Sequence, residues 1–249
     1  MPDLSVVIPV HQEEAILRPA CLDLMEGLSA RGLDYELLLC ENGSRDGTRA
    51  EIERLAAERP RLRWLSVGEP NYGLALRHGI LGARGRLVIC DEIDLCDLSF
   101  YDRALPLLRS GAAELVVGSK RARGAQDLRP RHRRLATWAH NTLLGLLFGF
   151  RGTDTHGPKA FLRERVAPVA GRCVVDRDVF ASELVIRAQR EGVRLAEIPL
   201  TLRERRPPSV GLWRRAPSVL ARVARLWWVL RLAPSRAPPA AETERAPPG

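Results

Sequence analysis

Short apolar runs alternate along this chain with longer stretches whose apolar residues recur every third or fourth position. Leu4–Val10, Tyr35–Cys40, Leu62–Val67, Leu87–Cys90, Glu114–Gly118 and Val193–Leu200 have the length and β-rich composition of strands. Glu13–Ala30, Thr48–Glu58 and a run from about Leu74 to Ala83 carry helical spacing instead. Strands alternating with helices predict βαβ units, and hence an α/β fold with a mostly parallel sheet flanked by helices. Ligands of such sheets gather beyond the carboxyl ends of the strands. Four polar motifs fall at those ends: Val10-His11-Gln12-Glu13, Glu41-Asn42-Gly43-Ser44, Asn71-Tyr72-Gly73 and an acidic run from Asp91 to Asp97.

After Gly118 the alternation loosens. Lys120–Arg134 reads as a basic loop, Leu135–Phe150 as an apolar helical segment and Gly152–Phe161 as a polar, turn-rich one. Leu212–Leu232 predicts a helix with an aliphatic and tryptophan stripe of Leu212, Ala216, Val219, Val223, Trp227 and Leu230. Its arginines fall largely off that stripe. The pattern fits an interfacial helix on anionic lipid, with an amphipathic helix docked on the domain as the alternative. We therefore expect one α/β domain over residues 1–205, a basic helical appendage over 206–232 and a Pro/Ala-rich tail over 233–249 that cannot build a core.

Charge changes this picture less than its size suggests. The chain has 249 residues and a formal net charge of +9. Lys120 and Lys159 are the only lysines, so the basicity is almost all arginine, as a GC-rich coding bias would produce. Basic and aromatic residues interleave only in the last helix, which argues against nucleic acid as partner. The 5 cysteines form no CxxC pair, which points to a reducing compartment and away from zinc or disulfides. No run reaches the ~18 apolar residues of a membrane span, and the sequence enters its first strand directly. A cytoplasmic protein is expected, peripheral at the inner face of the cell membrane if the last helix lies on lipid.

The acidic run carries the clearest chemistry. Asp91, Glu92, Asp94 and Asp97 follow the strand Leu87–Cys90 within a few residues. Residues two apart on extended backbone point the same way, so Glu92 and Asp94 share a face. Hard oxygen ligands there suit Mg2+ or Mn2+ holding a diphosphate, and Asp91 is an alternative first ligand. A solvated acidic turn would look similar.

The order of motifs resembles that of family 2 glycosyltransferases. Ser5-Val6-Val7-Ile8-Pro9-Val10-His11-Gln12-Glu13 is similar to their opening strand, Glu41-Asn42-Gly43-Ser44-Arg45-Asp46-Gly47-Thr48 to their D-D-G-S-x-D-G-T segment, and Asn71–Ile80 to their N-x-G region. Gly118-Ser119-Lys120-Arg121, Asp154–Phe161 and Glu197-Ile198-Pro199 resemble segments of the polyprenol-phosphate branch, which includes the dolichol-phosphate mannosyltransferases. The resemblance spans about residues 4 to 205. It implies a GT-A fold and metal-dependent, inverting transfer from a nucleotide sugar. On this chain Pro9, Val10, His11 and Glu13 would line the base pocket. Glu41, Asn42, Gly43, Ser44, Asn71 and Gly73 would complete the donor site, and Glu92 and Asp94 would hold the metal. Glutamate stands where the family has the first aspartate of both acidic motifs, and His11-Gln12 replaces Tyr-Asn.

A lipid monophosphate acceptor is already anionic near neutral pH, so it needs cations and positioning rather than a general base. Lys120, Arg131, Arg134, His156 and Lys159, with Asp94, are the expected catalytic set. A glycan, glycolipid or small hydroxylated acceptor would instead require a base, with His156, Asp176 and Asp178 as candidates. A non-catalytic scaffold in a membrane complex is a third reading. Asp46 and Asp154 also fit as caps, Arg131–Arg134 as a solvated loop and His78 as a surface helix residue.

Overall fold

The computed structural model describes residues 1–202 and 212–232. Nine strands and eight α-helices follow one another in these residues. The strands are β1 Leu4–Val10, β2 Tyr35–Glu41, β3 Leu62–Ser66, β4 Leu87–Cys90, β5 Leu115–Ser119, β6 Gln126–Asp127, β7 Lys159–Leu162, β8 Leu195–Pro199 and β9 Thr201–Leu202. The helices are α1 Leu17–Ala30, α2 Thr48–Glu58, α3 Tyr72–Gly82, α4 Leu98–Arg109, α5 Arg131–Phe148, α6 Arg163–Gly171, α7 Phe180–Arg190 and α8 Leu212–Leu232.

Seven strands form one sheet in the order β3-β2-β1-β4-β7-β5-β8. All neighbours are parallel except β7, which runs antiparallel to both β4 and β5. The short strands β6 and β9 pair separately. Side-chain alternation divides the core into two layers. Leu4, Val6, Ile8, Leu37 and Leu39 pack under α1, α2 and α4, while Val7, Leu38, Val88, Val117 and Phe161 pack under α3, α5, α6, α7 and α8. Buried on both faces, these strands read as continuous apolar runs. The chain order reverses beside β1, where β2 lies on one side and β4 on the other, and that switch point opens the crevice used by such sheets.

Three segments differ from expectation. The basic run before Leu135 is not all loop: Arg131–Arg134 form the first turn of α5, which Gly149 ends in a left-handed conformation. The turn-rich segment closes in β7, whose four residues enter the middle of the sheet. Helix α4 follows the acidic run, its start capped by the Asp97 side chain on the Ser99 amide. The expected break near residue 205 and the 233–249 tail lie outside the described residues. In α8, Val223 and Leu226 are buried, with Val219, Trp227 and Leu230 packed against the same core. From Val219 onward the expected stripe thus faces the protein. No helix among the described residues is long and apolar enough to cross a membrane.

Candidate active site

Three loops at the carboxyl ends of β1, β2 and β3 are tied into one unit. His11 Nδ1 lies 2.7 Å from the Asn42 carbonyl, the Gln12 amide donates to Ser44 Oγ at 3.1 Å, and the Glu13 amide donates to Thr48 Oγ1 at 2.9 Å. The Asn42 side chain accepts the amide of Asn71. Asn71 in turn caps α3, its Oδ1 accepting from Leu74 and from Arg177, both at 3.1 Å. Gly43 has φ +65°, and a Cβ there would sit 2.6 Å from the Glu69 carbonyl carbon, so the loop needs glycine. Gly73 is buried one residue into the first turn of α3, while Pro9 and Val10 end β1. The sequence-predicted donor residues therefore converge.

Glu41 is buried and braces this unit from within. Its carboxylate accepts the Ser44 amide and the Ser66 hydroxyl. Burial pushes its carboxyl up, but these donors outweigh that and hold it below the ordinary range. Asp46 accepts the Thr48 amide at 3.2 Å, the capping role expected of it.

Beyond β4 the acidic residues separate into two groups. Asp91 is buried and turned into the fold, where Tyr101 donates to Oδ2 at 3.0 Å and the Glu92 amide to Oδ1 at 2.8 Å. Burial pushes its carboxyl up to about 7. Its oxygens are thus engaged by protein donors, unlike those of a ligand. Glu92 is open to solvent, yet the protein around it desolvates its carboxyl and, with the Asp94 charge, raises it. Lys120 and Lys159 act on it in the opposite sense. Among the described residues no group of three His, Cys, Asp or Glu is arranged to hold a metal unaided. A carboxylate raised by desolvation and by the charge of a neighbouring one fits a hard divalent cation with phosphate oxygens and water in its remaining positions. The backbone is strained around this rim. Gln12, Cys96 and Arg177, with φ of 55°, 38° and 59°, are the described non-glycine residues in the left-handed region, and all three border the site.

The second half of the site comes from β5, β7 and the turn before β7. Lys120 Nζ pairs with the fully buried Asp154 at 2.9 Å. Asp154 also accepts the His156 amide at 3.1 Å. Burial raises its carboxyl, but Lys120 and that amide outweigh it and keep it ionised below the ordinary range. Neither residue is the simple cap or free phosphate ligand that spacing suggests. Glu197 of β8 holds the turn in place by accepting the amides of Thr153 at 2.6 Å and Asp154 at 3.2 Å. A Cβ on Gly157 would lie 1.8 Å from the Gly118 carbonyl oxygen, so only glycine allows β5 and this turn to touch.

Lys159 opens β7 opposite Cys90, the last residue of β4. It is 3% exposed, and its Nζ donates to the Gly157 carbonyl at 2.8 Å. No carboxylate among the described residues lies within ion-pair distance of it. Burial lowers its ammonium, opposed by Cys90, Asp154 and Glu92. Arg131 and Arg134 are exposed on the first turn of α5.

Sequence reasoning missed His140, Thr155, Ser182 and Tyr72. The His140 and His156 rings meet edge to face at 5.2 Å, and Thr155 Oγ1 bridges His156 Nδ1 at 3.1 Å and Ser182 Oγ at 2.8 Å. Tyr72 lies near the carboxylates, where burial first and then Glu92 push its hydroxyl well up. The helical registers of α5, α7 and α3 are the signal that could have placed His140, Ser182 and Tyr72. His156 is held down to about 3 by desolvation, then by His140 and Lys120. Its folded value lies below the unfolded one, so stability drops as pH falls below about 6.5. We expect its imidazole NMR signals to stay flat from about pH 5 to 8; a midpoint within that window would contradict this environment.

Buried Glu183 accepts the amides of Val174 and Val175 and pairs with Arg187 at 2.7 Å, which makes it a brace for the loop before α7. Asp176 precedes the 3-10 turn Arg177–Val179 without a side-chain cap.

Comparison with known proteins places this geometry. Solved structures with similar architecture include glucosyl-3-phosphoglycerate synthase from Mycobacterium tuberculosis in complex with Mn2+, UDP and phosphoglyceric acid. It has a TM-score of 0.62 and 21% identity over 91% of this chain and 78% of that one. Mannosyl-3-phosphoglycerate synthase from Rubrobacter xylanophilus gives 0.63 and 18% over 97% and 79%. The sheet is that of a GT-A fold. In sequence, the chain is 28% identical to glycosyltransferase AglD of Haloferax volcanii, over 93% of this chain but 38% of that protein. It is 26% identical to dolichyl-phosphate beta-glucosyltransferase ALG5A of Trichomonas vaginalis, over 81% of this chain and 66% of that protein. A dolichyl-phosphate hexose transferase of Haloferax volcanii is 26% identical over 82% and 84%. Residues 5–168 match the model of glycosyl transferase family 2.

Proposed function

Since this chain belongs to glycosyl transferase family 2, we propose that it moves one hexose from a nucleotide sugar to a polyprenyl phosphate of the dolichyl type. The observation that carries this reading is Lys159. It is a buried ammonium with a carbonyl as its hydrogen-bond partner, set where β7 meets the acidic end of β4. Desolvated cations of that kind call for an anion, and an acceptor phosphate supplies one. The sequence relatives named for dolichyl phosphate support the same choice.

The His11, Asn42 and Asn71 loops bind the nucleotide, with Glu41 fixing their shape. Glu92 and Asp94 would hold Mg2+ or Mn2+, whose charge offsets that of the departing diphosphate. Lys159, and Lys120 as part of its pair with Asp154, position the acceptor oxygen for attack at the anomeric carbon. The sugar–diphosphate bond breaks as the new bond forms, inverting that centre. The acceptor oxygen carries no proton at neutral pH, so the neutral His156 has none to remove and serves to shape the pocket.

Calorimetric titration with GDP, UDP and their hexose conjugates, with and without Mn2+, tests the donor side. Binding of one nucleotide that strengthens with metal is expected. Paired assays with a prenyl phosphate and the matching prenol test the acceptor. Transfer to the phosphate alone is expected; equal transfer to the alcohol would overturn the acceptor reading.

A further inference from the structure

Helix α5 is amphipathic in an unusual sense, because both of its faces are apolar. Leu144 and Phe148 enter the core. On the opposite side Leu135, Trp138 and Leu146 are 64%, 52% and 81% exposed, and they align on one stripe with Thr142 between them. Helix α8 repeats the arrangement. Val223 and Leu226 are buried in the same core cluster, while Leu220 and Trp228, eight residues apart, are 57% and 62% exposed on the outward side. The two helices pack against each other and share that cluster beneath them. Their outward stripes are therefore neighbours on one surface.

The charge on this surface has one sign. Neither α5 nor α8 contains an aspartate or glutamate, in a chain with 30 of them. Arginines border the stripes instead, with Arg131, Arg134, Arg225 and Arg231 exposed. A protein partner would be expected to meet some acidic counterpart or a packed concavity. Exposed leucines and tryptophans flanked only by cations match the boundary between acyl chains and anionic headgroups.

We infer that the outward faces of α5 and α8 form a lipid-docking surface, seated on an anionic phospholipid bilayer. It differs from the inward stripe of α8, which is used up in packing. The same α5 carries His140 on its inner side against His156, so the helix that touches lipid also lines the pocket. Resting on the function proposed above, this places the acceptor phosphate at headgroup depth, with its prenyl chain still in the bilayer.

The test sediments the full chain with vesicles of phosphatidylcholine alone or with about one-third phosphatidylglycerol. Wild type is expected to pellet with the anionic vesicles, and less so as salt rises. The double variant Leu135→Glu/Leu146→Glu should bind them at least tenfold more weakly with an unchanged melting temperature. Leu220→Glu/Trp228→Glu serves as an independent second variant. Undiminished vesicle binding by both, or equal wild-type binding to neutral vesicles, would overturn the proposal. So would variants that convert a dimer to a monomer on a sizing column without changing vesicle binding. No substrate enters this assay. If no prenyl phosphate is glycosylated, the acceptor reading falls while the vesicle result still decides the surface.

Discussion

Asp94→Ala is expected to leave a folded protein whose transfer rate falls by about three orders of magnitude, or ~4 kcal/mol of transition-state stabilisation. In the acidic run Glu92 is raised by desolvation and by the Asp94 charge beside it, and Asp91 is committed to Tyr101 and a backbone amide. With Asp94 gone, the remaining aspartates of the run are already engaged, Asp91 by Tyr101 and Asp97 in capping α4. Asp94 sits on a turn outside both core clusters, so the melting temperature should move by no more than about 2–4 °C. Initial rates and a thermal melt on the same preparation provide the check, alongside metal-dependent nucleotide binding. Wild-type turnover in the variant would remove the metal assignment. Asp94→Asn keeps the shape and loses the charge, so it separates ligation from packing.

The second large effect concerns stability. Removing either partner of the Lys120–Asp154 pair strands the other where water cannot reach it well, at a cost of about 3–5 kcal/mol. Asp154→Ala should be the more severe, since it also releases the His156 amide. The paired change Asp154→Leu/Lys120→Met should recover part of that stability, yet not the activity, because apolar replacements leave no charge stranded. Denaturant titrations as a function of pH give a second readout. The folded carboxyl of Asp154 lies below its unfolded value. Its contribution is complete above about pH 4 and is lost as pH falls toward the depressed value. Wild type and Asp154→Asn should therefore converge in acid; a constant gap between them would mean that charge is not what the pair contributes.

Much of the half proposed for the donor was legible in the sequence because its information is local. Each strand from β1 to β4 ends in a polar motif, and βαβ alternation alone brings those ends to one rim. The acceptor half was harder for three physical reasons. β7 is four residues long, too short to establish a period, and it follows a glycine- and proline-rich turn. Its direction is opposite to its neighbours, which alternation does not predict. The burial of Lys159 depends on that insertion, and a lone lysine at a turn carries no signal of it. Helix α4 was visible in principle, since Phe100, Tyr101, Ala104, Leu105 and Leu108 follow helical spacing behind an Asp97 cap, and the acidic run beside it drew the reading away. The resemblance placed Arg131 and Arg134 on the acceptor side, and the structure leaves them on an exposed helical turn.

The reversed strand β7 also bears on the order in which this molecule assembles. β7 needs both β4 and β5 to be in place before it can pair on its two edges, and its partner Cys90 lies far upstream of Lys159. β1 to β3 pair across nearby crossovers, whereas β7 must await both β4 and β5, and β4 itself reaches its place by a long-range pairing with β1. We expect a refolding chain to complete the β1–β3 loops proposed for the donor first and to gain its buried lysine last. Partly folded molecules would then capture donor without being able to spend it, and activity would mark the end of folding rather than its midpoint.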